Sequence, residues 1–133
     1  VRSMGRATAG VRAIRLKKDD LVSSMNIITT AEAKKRKLLV VMSNGYGKQT
    51  ALSEYKVQGR GGSGIKTANV TSKTGKVMDA RVISEEKEII ALSAKGQIIR
   101  TAIETVRTAG RATQGVRIMN LKSGDSLIGI ICF

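Results

Sequence analysis

The sequence predicts an all-β protein assembled from repeats of about fifty residues, and three observations carry that expectation. First, residues 5–16 read GRATAGVRAIRL, residues 59–70 GRGGSGIKTANV and residues 110–121 GRATQGVRIMNL, with starts 54 and then 51 residues apart. Second, residues 38–65, LLVVMSNGYGKQTALSEYKVQGRGGSGI, align with residues 89–116, IIALSAKGQIIRTAIETVRTAGRATQGV, at a constant offset of 51. That offset sets Gly45 on Gly96, Thr50 on Thr101, Gly59 on Gly110, Arg60 on Arg111 and Gly64 on Gly115. Third, the apolar stretches are short, rich in Val, Ile and Thr, and divided by turn residues, the pattern of strands. Residues 1–133 are therefore expected to form one unit with repeats at 5–58, 59–109 and 110–133, the last incomplete. A unit of this size has the dimensions of one blade in a radial array of small sheets.

Each element follows from its residues. After the three Gly-Arg loops, positions 11, 14 and 16, then 65, 68 and 70, then 116, 119 and 121 are apolar. A step of three followed by two breaks strict alternation, as a β-bulge does. Leu38 to Met42 and Ile89 to Leu92 are unbroken apolar runs, expected of strands covered on both faces. Asn44-Gly45 and Lys95-Gly96 follow them and suit tight hairpin turns that need positive φ. Thr50 to Val57 has a weakly helical pattern too brief to support a helix. Leu127 to Cys132 is a further strand-sized apolar run, and no run approaches the length of a membrane span.

Composition narrows the function. The 133 residues carry 24 Lys and Arg against 10 Asp and Glu, a net charge of +14 that predicts attraction to a polyanion. Histidine is absent, which removes Ser-His, Cys-His and His-metal chemistry together. Cys132 is the single cysteine, so neither a disulfide framework nor a cysteine-rich zinc site is expected, and a reducing cytosol is. With no Trp, one Phe and two Tyr, the chain lacks the rings on which single-strand binders stack bases. The opening Val1-Arg2-Ser3-Met4 carries no apolar signal segment, and its lack of an initiator methionine suggests a piece of a longer polypeptide.

Two phosphate-loop patterns fail on context. GRGGSG at 59–64 satisfies G-x-G-x-x-G, but the sequence after it is β-like where that motif requires a helix N-terminus, and its sister loops lack the middle glycine. GYGKQT at 45–50 places Gln49 where a phosphate loop needs Ser or Thr. The shared Gly-Arg-x-x-x-Gly loop is more informative. Its glycines permit turns, and Arg6, Arg60 and Arg111 recur at one position, each followed six residues later by a cation, Arg12, Lys66 and Arg117. Glycines beside an arginine let backbone N–H groups approach phosphate oxygens. Lys34, Lys35, Arg36 and Lys37 form the densest basic run, and Lys48 and Arg100 complete the set of candidate nucleic-acid-binding cations. The carboxylates at Asp19-Asp20 and at Glu85, Glu86 and Glu88 lie in expected turns without a catalytic partner, and Tyr46 and Tyr55 are expected to pack. No catalytic and no metal-binding residue is expected.

MGRATAGVRAIRLKKDDLV, LLVVMSNGYGKQTALSEYKVQGRGGSGIKTANVT and GRATQGVRIMNL together resemble the C-terminal domain of bacterial DNA gyrase A over essentially the whole chain. The corresponding polypeptide of topoisomerase IV is the close alternative. The resemblance implies a β-pinwheel, a propeller-like ring of four-stranded blades with swapped strands, of which this chain is a partial ring. It implies double-stranded DNA wrapped on a basic outer rim, in support of ATP-dependent negative supercoiling by the holoenzyme. It implies as partners the remainder of gyrase A and the gyrase B polypeptide, in the bacterial cytoplasm at the nucleoid. ATP and magnesium belong to the holoenzyme and no cofactor is expected in this chain. The family's box reads Q-[RK]-R-G-G-[RK]-G. Gln58, Arg60, Gly61, Gly62 and Gly64 match it, whereas Gly59 and Ser63 replace basic residues. Residues 58–64 are accordingly expected to be an ordinary blade loop, with the intact box upstream of Val1. The family's cleavage tyrosine is expected elsewhere, and neither Tyr46 nor Tyr55 is assigned to it. A basic β-repeat scaffold that binds RNA or an acidic protein stays open as a different class, as does self-association through open blade edges. No membrane partner is expected.

Overall fold

The computed structural model describes residues 2–133; Val1, where the expected unit begins, lies outside the described residues. Seven strands form two antiparallel sheets. The elements are α1 Thr30–Ala33, β1 Lys37–Met42, β2 Tyr46–Ala51, β3 Val77–Ile83, β4 Glu88–Ser93, β5 Ile98–Ala102, β6 Val116–Arg117 and β7 Leu127–Cys132. The first sheet runs β3-β1-β2-β6 and the second β5-β4-β7. Both come from the same plan. β1 and β2 are the offset equivalents of β4 and β5, and one-turn 3-10 segments, Leu52–Glu54 and Ile103–Thr105, follow β2 and β5.

In both hairpins the glycine three residues past the end of the inner strand closes the turn. Gly45 N–H donates to Met42 O at 3.0 Å and Gly96 N–H to Ser93 O at 3.1 Å. Only the glycines take positive φ, +79° and +80°. This is a type I turn closed by a left-handed glycine, rather than a two-residue turn with positive φ at both positions. The ladder of β1 on β3 slips between Val41 and Met42, and that of β4 on β7 between Leu92 and Ser93, equivalent points in the two repeats. The spacing after the loops suggested a bulge in those segments; the register slips lie instead in the inner strands. Of the three segments after the loops, the last alone forms a ladder, the short β6 on β2 with Tyr46 opposite Arg117 and Gly47 opposite Val116.

That pairing ties the repeats together. β6 belongs to the sequence after β5, yet it completes the sheet of the first repeat. The core lies mainly between the sheets, where Leu39, Val41 and Ile83 meet Ile89, Ala91, Leu127 and Ile130. Val40, Met42, Tyr46 and Ala68 pack on the other face of β1 and β2. The run 38–42 is thus covered on both faces. The run 89–92 is covered on one: Leu92, Ile98 and Ile131 are exposed on the face equivalent to the one by which the first sheet packs. An uninterrupted apolar run encodes two covered faces, and among the described residues the second face has no neighbour.

The open edge of β3 is lined by side chains. Asn26 donates from Nδ2 to Ala80 O at 2.8 Å and accepts from Val82 N–H at 3.2 Å, and Ser24 Oγ accepts from Ala80 N–H at 3.2 Å. These bonds satisfy edge groups that would otherwise invite another strand.

Candidate nucleic-acid interface

The closing glycines of the three Gly-Arg loops share one backbone state: Gly10, Gly64 and Gly115 have φ of +76°, +79° and +77°. This left-handed turn returns the chain after each arginine. In the loops that read GRAT, the threonine hydroxyl donates back to the first glycine's carbonyl, Thr8 to Gly5 and Thr113 to Gly110, each at 2.8 Å. The cation six residues on is also held alike in two copies. Lys66 Nζ donates to Asn69 Oδ1 at 3.2 Å, and Arg117 to Asn120 Oδ1 at 3.1 Å. In the first copy Arg15 replaces that asparagine, and Arg12 is exposed.

Successive copies touch each other in the same way. Arg15 N–H donates to Gly62 O at 2.8 Å, and Asn69 N–H to Thr113 O at 3.0 Å. Arg15 and Asn69 are equivalent, as are Gly62 and Thr113. One hydrogen bond therefore recurs from repeat to repeat, and the loops that carry Arg6, Arg60 and Arg111 follow one another along the array.

The third loop is the best anchored. Thr50 Oγ1 donates to Ala109 O at 2.8 Å, and the Gln49 amide reaches Ile103 O and Val106 O, both at 2.7 Å. Glu54 Oε2 accepts from Arg111 N–H at 3.3 Å, and the Arg111 guanidinium lies 5.9 Å from the centre of the Tyr55 ring, a cation–π contact. Tyr55 is fixed in turn by its hydroxyl contact with Thr67 at 2.5 Å.

Lys48 departs from expectation. Its side chain is 0% exposed, and its ammonium donates to Gly110 O at 2.6 Å, Arg111 O at 2.5 Å and Thr113 Oγ1 at 3.2 Å. Burial pushes its pKa below the ordinary lysine range, and the Glu54 carboxylate opposes that shift. A lysine enclosed beneath the loop is a support for the loop and not a surface cation, so it leaves the set of phosphate contacts. The sequence could not show this, because Lys48 is polar and the loop that encloses it is more than sixty residues away.

Arg117 sits over the Tyr46 ring at 5.4 Å and donates to the Tyr46 hydroxyl at 2.9 Å. Lys73 lies 5.7 Å from the centre of the same ring. The Arg117 hydrogen bond lowers the Tyr46 pKa, with the positive charges of Arg117 and Lys73 contributing and burial opposing. Tyr46, Lys73, Arg117 and Lys122 line one shallow basin of about 440 Å³. Lys73 and Lys122 were missed from the sequence because they fall outside the repeated motif.

The remaining candidates differ in freedom. Arg36 is paired with Glu32 at 2.5 Å, and Lys37 donates to Thr108 Oγ1 at 3.1 Å, while Lys34 and Lys35 are exposed. Arg100 is paired with Glu88 and rests 5.4 Å from the Phe133 ring centre. Among the described residues, ion pairs engage only Arg36, Arg81 and Arg100. Most of the positive charge is therefore free of carboxylate partners.

Strand-linked β units with recurring basic loops define a repeat domain of the β-propeller type. Residues 1–29, 37–84 and 87–133 match the family model of the DNA gyrase C-terminal domain, beta-propeller, and the chain belongs to that family. DNA gyrase A of Mycolicibacterium smegmatis is 45% identical over 130 residues, 98% of this chain and 15% of the relative. The gyrase A of Streptomyces coelicolor is 39% identical over 130 residues, again 98% of this chain and 15% of the relative. That of Deinococcus deserti is 42% identical, covering 96% of this chain and 16% of the relative. The chain thus spans about a seventh of the length of these relatives. A solved DNA gyrase A C-terminal domain superposes with a TM-score of 0.68 at 33% identity, covering 73% of this chain and 33% of that one. The C-terminal domain of DNA topoisomerase IV gives a TM-score of 0.67 at 25% identity, covering 74% and 30%.

Proposed function

We propose that this chain is a non-catalytic element that binds duplex DNA by its phosphates and bends it along the row of Gly-Arg loops. The observation that supports the reading is the recurring contact between successive copies, Arg15 to Gly62 and Asn69 to Thr113, which joins neighbouring Gly-Arg loops by one equivalent hydrogen bond. A net charge of +14 with few ion pairs supplies the attraction. The loops offer guanidinium groups and backbone N–H donors, which hold phosphates and carry little base readout. The candidates are Arg6, Arg12, Arg60, Lys66, Arg111 and Arg117, with Lys34 and Lys35 beside them and Arg36, Lys37 and Arg100 partly engaged within the protein.

In the holoenzyme this element supports ATP-dependent negative supercoiling together with the remainder of gyrase A and the gyrase B polypeptide, at the nucleoid in the cytoplasm. ATP and magnesium act elsewhere in that assembly. The unpaired edge of β5 is the point at which a second copy would associate. Titration of fluorescent duplexes with salt tests the reading. Log affinity is expected to fall linearly with log salt, by about 0.9 per phosphate neutralised. Arg60→Ala and Arg111→Ala should each weaken binding alike on unrelated sequences and lower the slope by about 1. A flat salt response, or stronger competition by single-stranded RNA than by duplex DNA, would overturn it.

A further inference from the structure

Lys48 lies in β2 opposite Val40, and its enclosed ammonium makes bonds only to the Gly-Arg loop that opens the third repeat. Two of its acceptors are Gly110 O and Arg111 O, the carbonyls on either side of Arg111. Holding both peptide planes fixes the backbone of residue 111 and therefore the direction in which its side chain leaves the chain. Glu54 adds a third hold by accepting from Arg111 N–H, and Tyr55 supports the guanidinium. An enclosed ammonium is costly unless its donors are matched, and here they are matched by oxygens of the loop. At the equivalent place in the second repeat stands Ile99, which donates nothing. The clamp is thus particular to the seam between β2 and residues 110–115.

We propose that Lys48 is a positioning residue for DNA binding: through the two carbonyls that flank Arg111, it holds the loop in the conformation from which Arg111 meets a phosphate. The duplex part of this inference rests on the function proposed above. The holding of the loop does not, and the test reads the two separately.

Trypsin cleaves after Arg111 at the peptide whose carbonyl Lys48 binds. The initial rate at which the 133-residue chain yields a fragment ending at Arg111 therefore reports the clamp without DNA. Lys48→Met, which keeps the length and apolar stem, should speed that cut about tenfold or more, the factor represented by one charge-assisted hydrogen bond. The cut after Arg60, in the sister loop, should be unchanged. Duplex affinity, measured by fluorescence anisotropy, should fall with Lys48→Met to the level of Arg111→Ala. In the Arg111→Ala background, Lys48→Met should cost nothing further, because both changes act through one group. An unchanged cut after Arg111 would overturn the clamp. An equal loss of affinity in both backgrounds would overturn positioning, since general loosening does not depend on Arg111. Absence of salt-dependent duplex binding by the unaltered chain would overturn the DNA role, and the cleavage rate would still decide the clamp. If Lys48→Met does not fold, Lys48→Gln keeps a shorter, uncharged donor and should move both readouts in the same direction by a smaller factor; no movement in either would overturn the proposal.

Discussion

Gly10 and Gly115 close sister loops with the same backbone angle, yet their surroundings separate them. A methyl group on Gly10 meets nothing, whereas one on Gly115 runs into the carbonyl oxygen of Gly47 in β2. Both substitutions carry the cost of a left-handed side-chain residue, about 1–2 kcal/mol. Gly115→Ala adds a clash with backbone that cannot swing aside. It is expected to lower the urea midpoint further than Gly10→Ala does, because Gly10→Ala carries the backbone cost alone and only Gly115→Ala also opposes the join between repeats. Cys132 gives a second residue-level test. Burial, with the nearby Glu86 charge adding, pushes its thiol up to about 11 from an ordinary 9.0. The folded thiol is neutral at pH 8 and should alkylate slowly there, faster only toward pH 11 or in denaturant. Its contribution to stability is whole below the unfolded value of 9.0 and is lost as the pH rises through about 11. Rapid modification of the folded chain at pH 8 would contradict this assignment.

β1 is the element on which both layers depend. Leu39 is 0% exposed between the sheets, so Leu39→Ala should cost about 2–5 kcal/mol in denaturant unfolding. Ile131 in β7 is 64% exposed, so Ile131→Ala should stay within about 0.5 kcal/mol. The inner strands and their hairpins were legible because apolar runs followed by Asn-Gly or Lys-Gly are local signals. α1 was missed although Thr29 and Glu32 carry a capping pattern: Thr29 N–H donates to Glu32 Oε2 at 3.1 Å, but four residues give no apolar period. The crossing of β6 to the first sheet was not legible. It depends on Gly47 admitting the Gly115 backbone and on the Lys48 clamp, contacts spanning more than sixty residues. The repeated arginines were found by alignment of the chain with itself. Their supports, Glu54, Tyr55 and Tyr46, were not, because they fall on Thr105, Val106 and Gln97 in the aligned segment and so do not recur.

At the scale of the molecule, what matters is that one contact is used twice. Two equivalent hydrogen bonds in series repeat one contact between neighbouring copies, and under the proposed function that repetition carries the Gly-Arg loops along by a like step, as in other repeat proteins. A duplex held at successive loops must follow that step. Bending a short site by 40–90° costs on the order of 1–6 kcal/mol, which several distributed phosphate contacts offset and one or two do not. Charge alone would bind a straight duplex; the regular row is what should curve it. Energy transfer between dyes on the two ends of a short duplex measures this directly. Saturation with the chain at low salt should raise transfer as the ends approach, and Arg60→Ala with Arg111→Ala should return it toward that of free DNA. Tight binding with transfer unchanged from the free duplex would contradict the account.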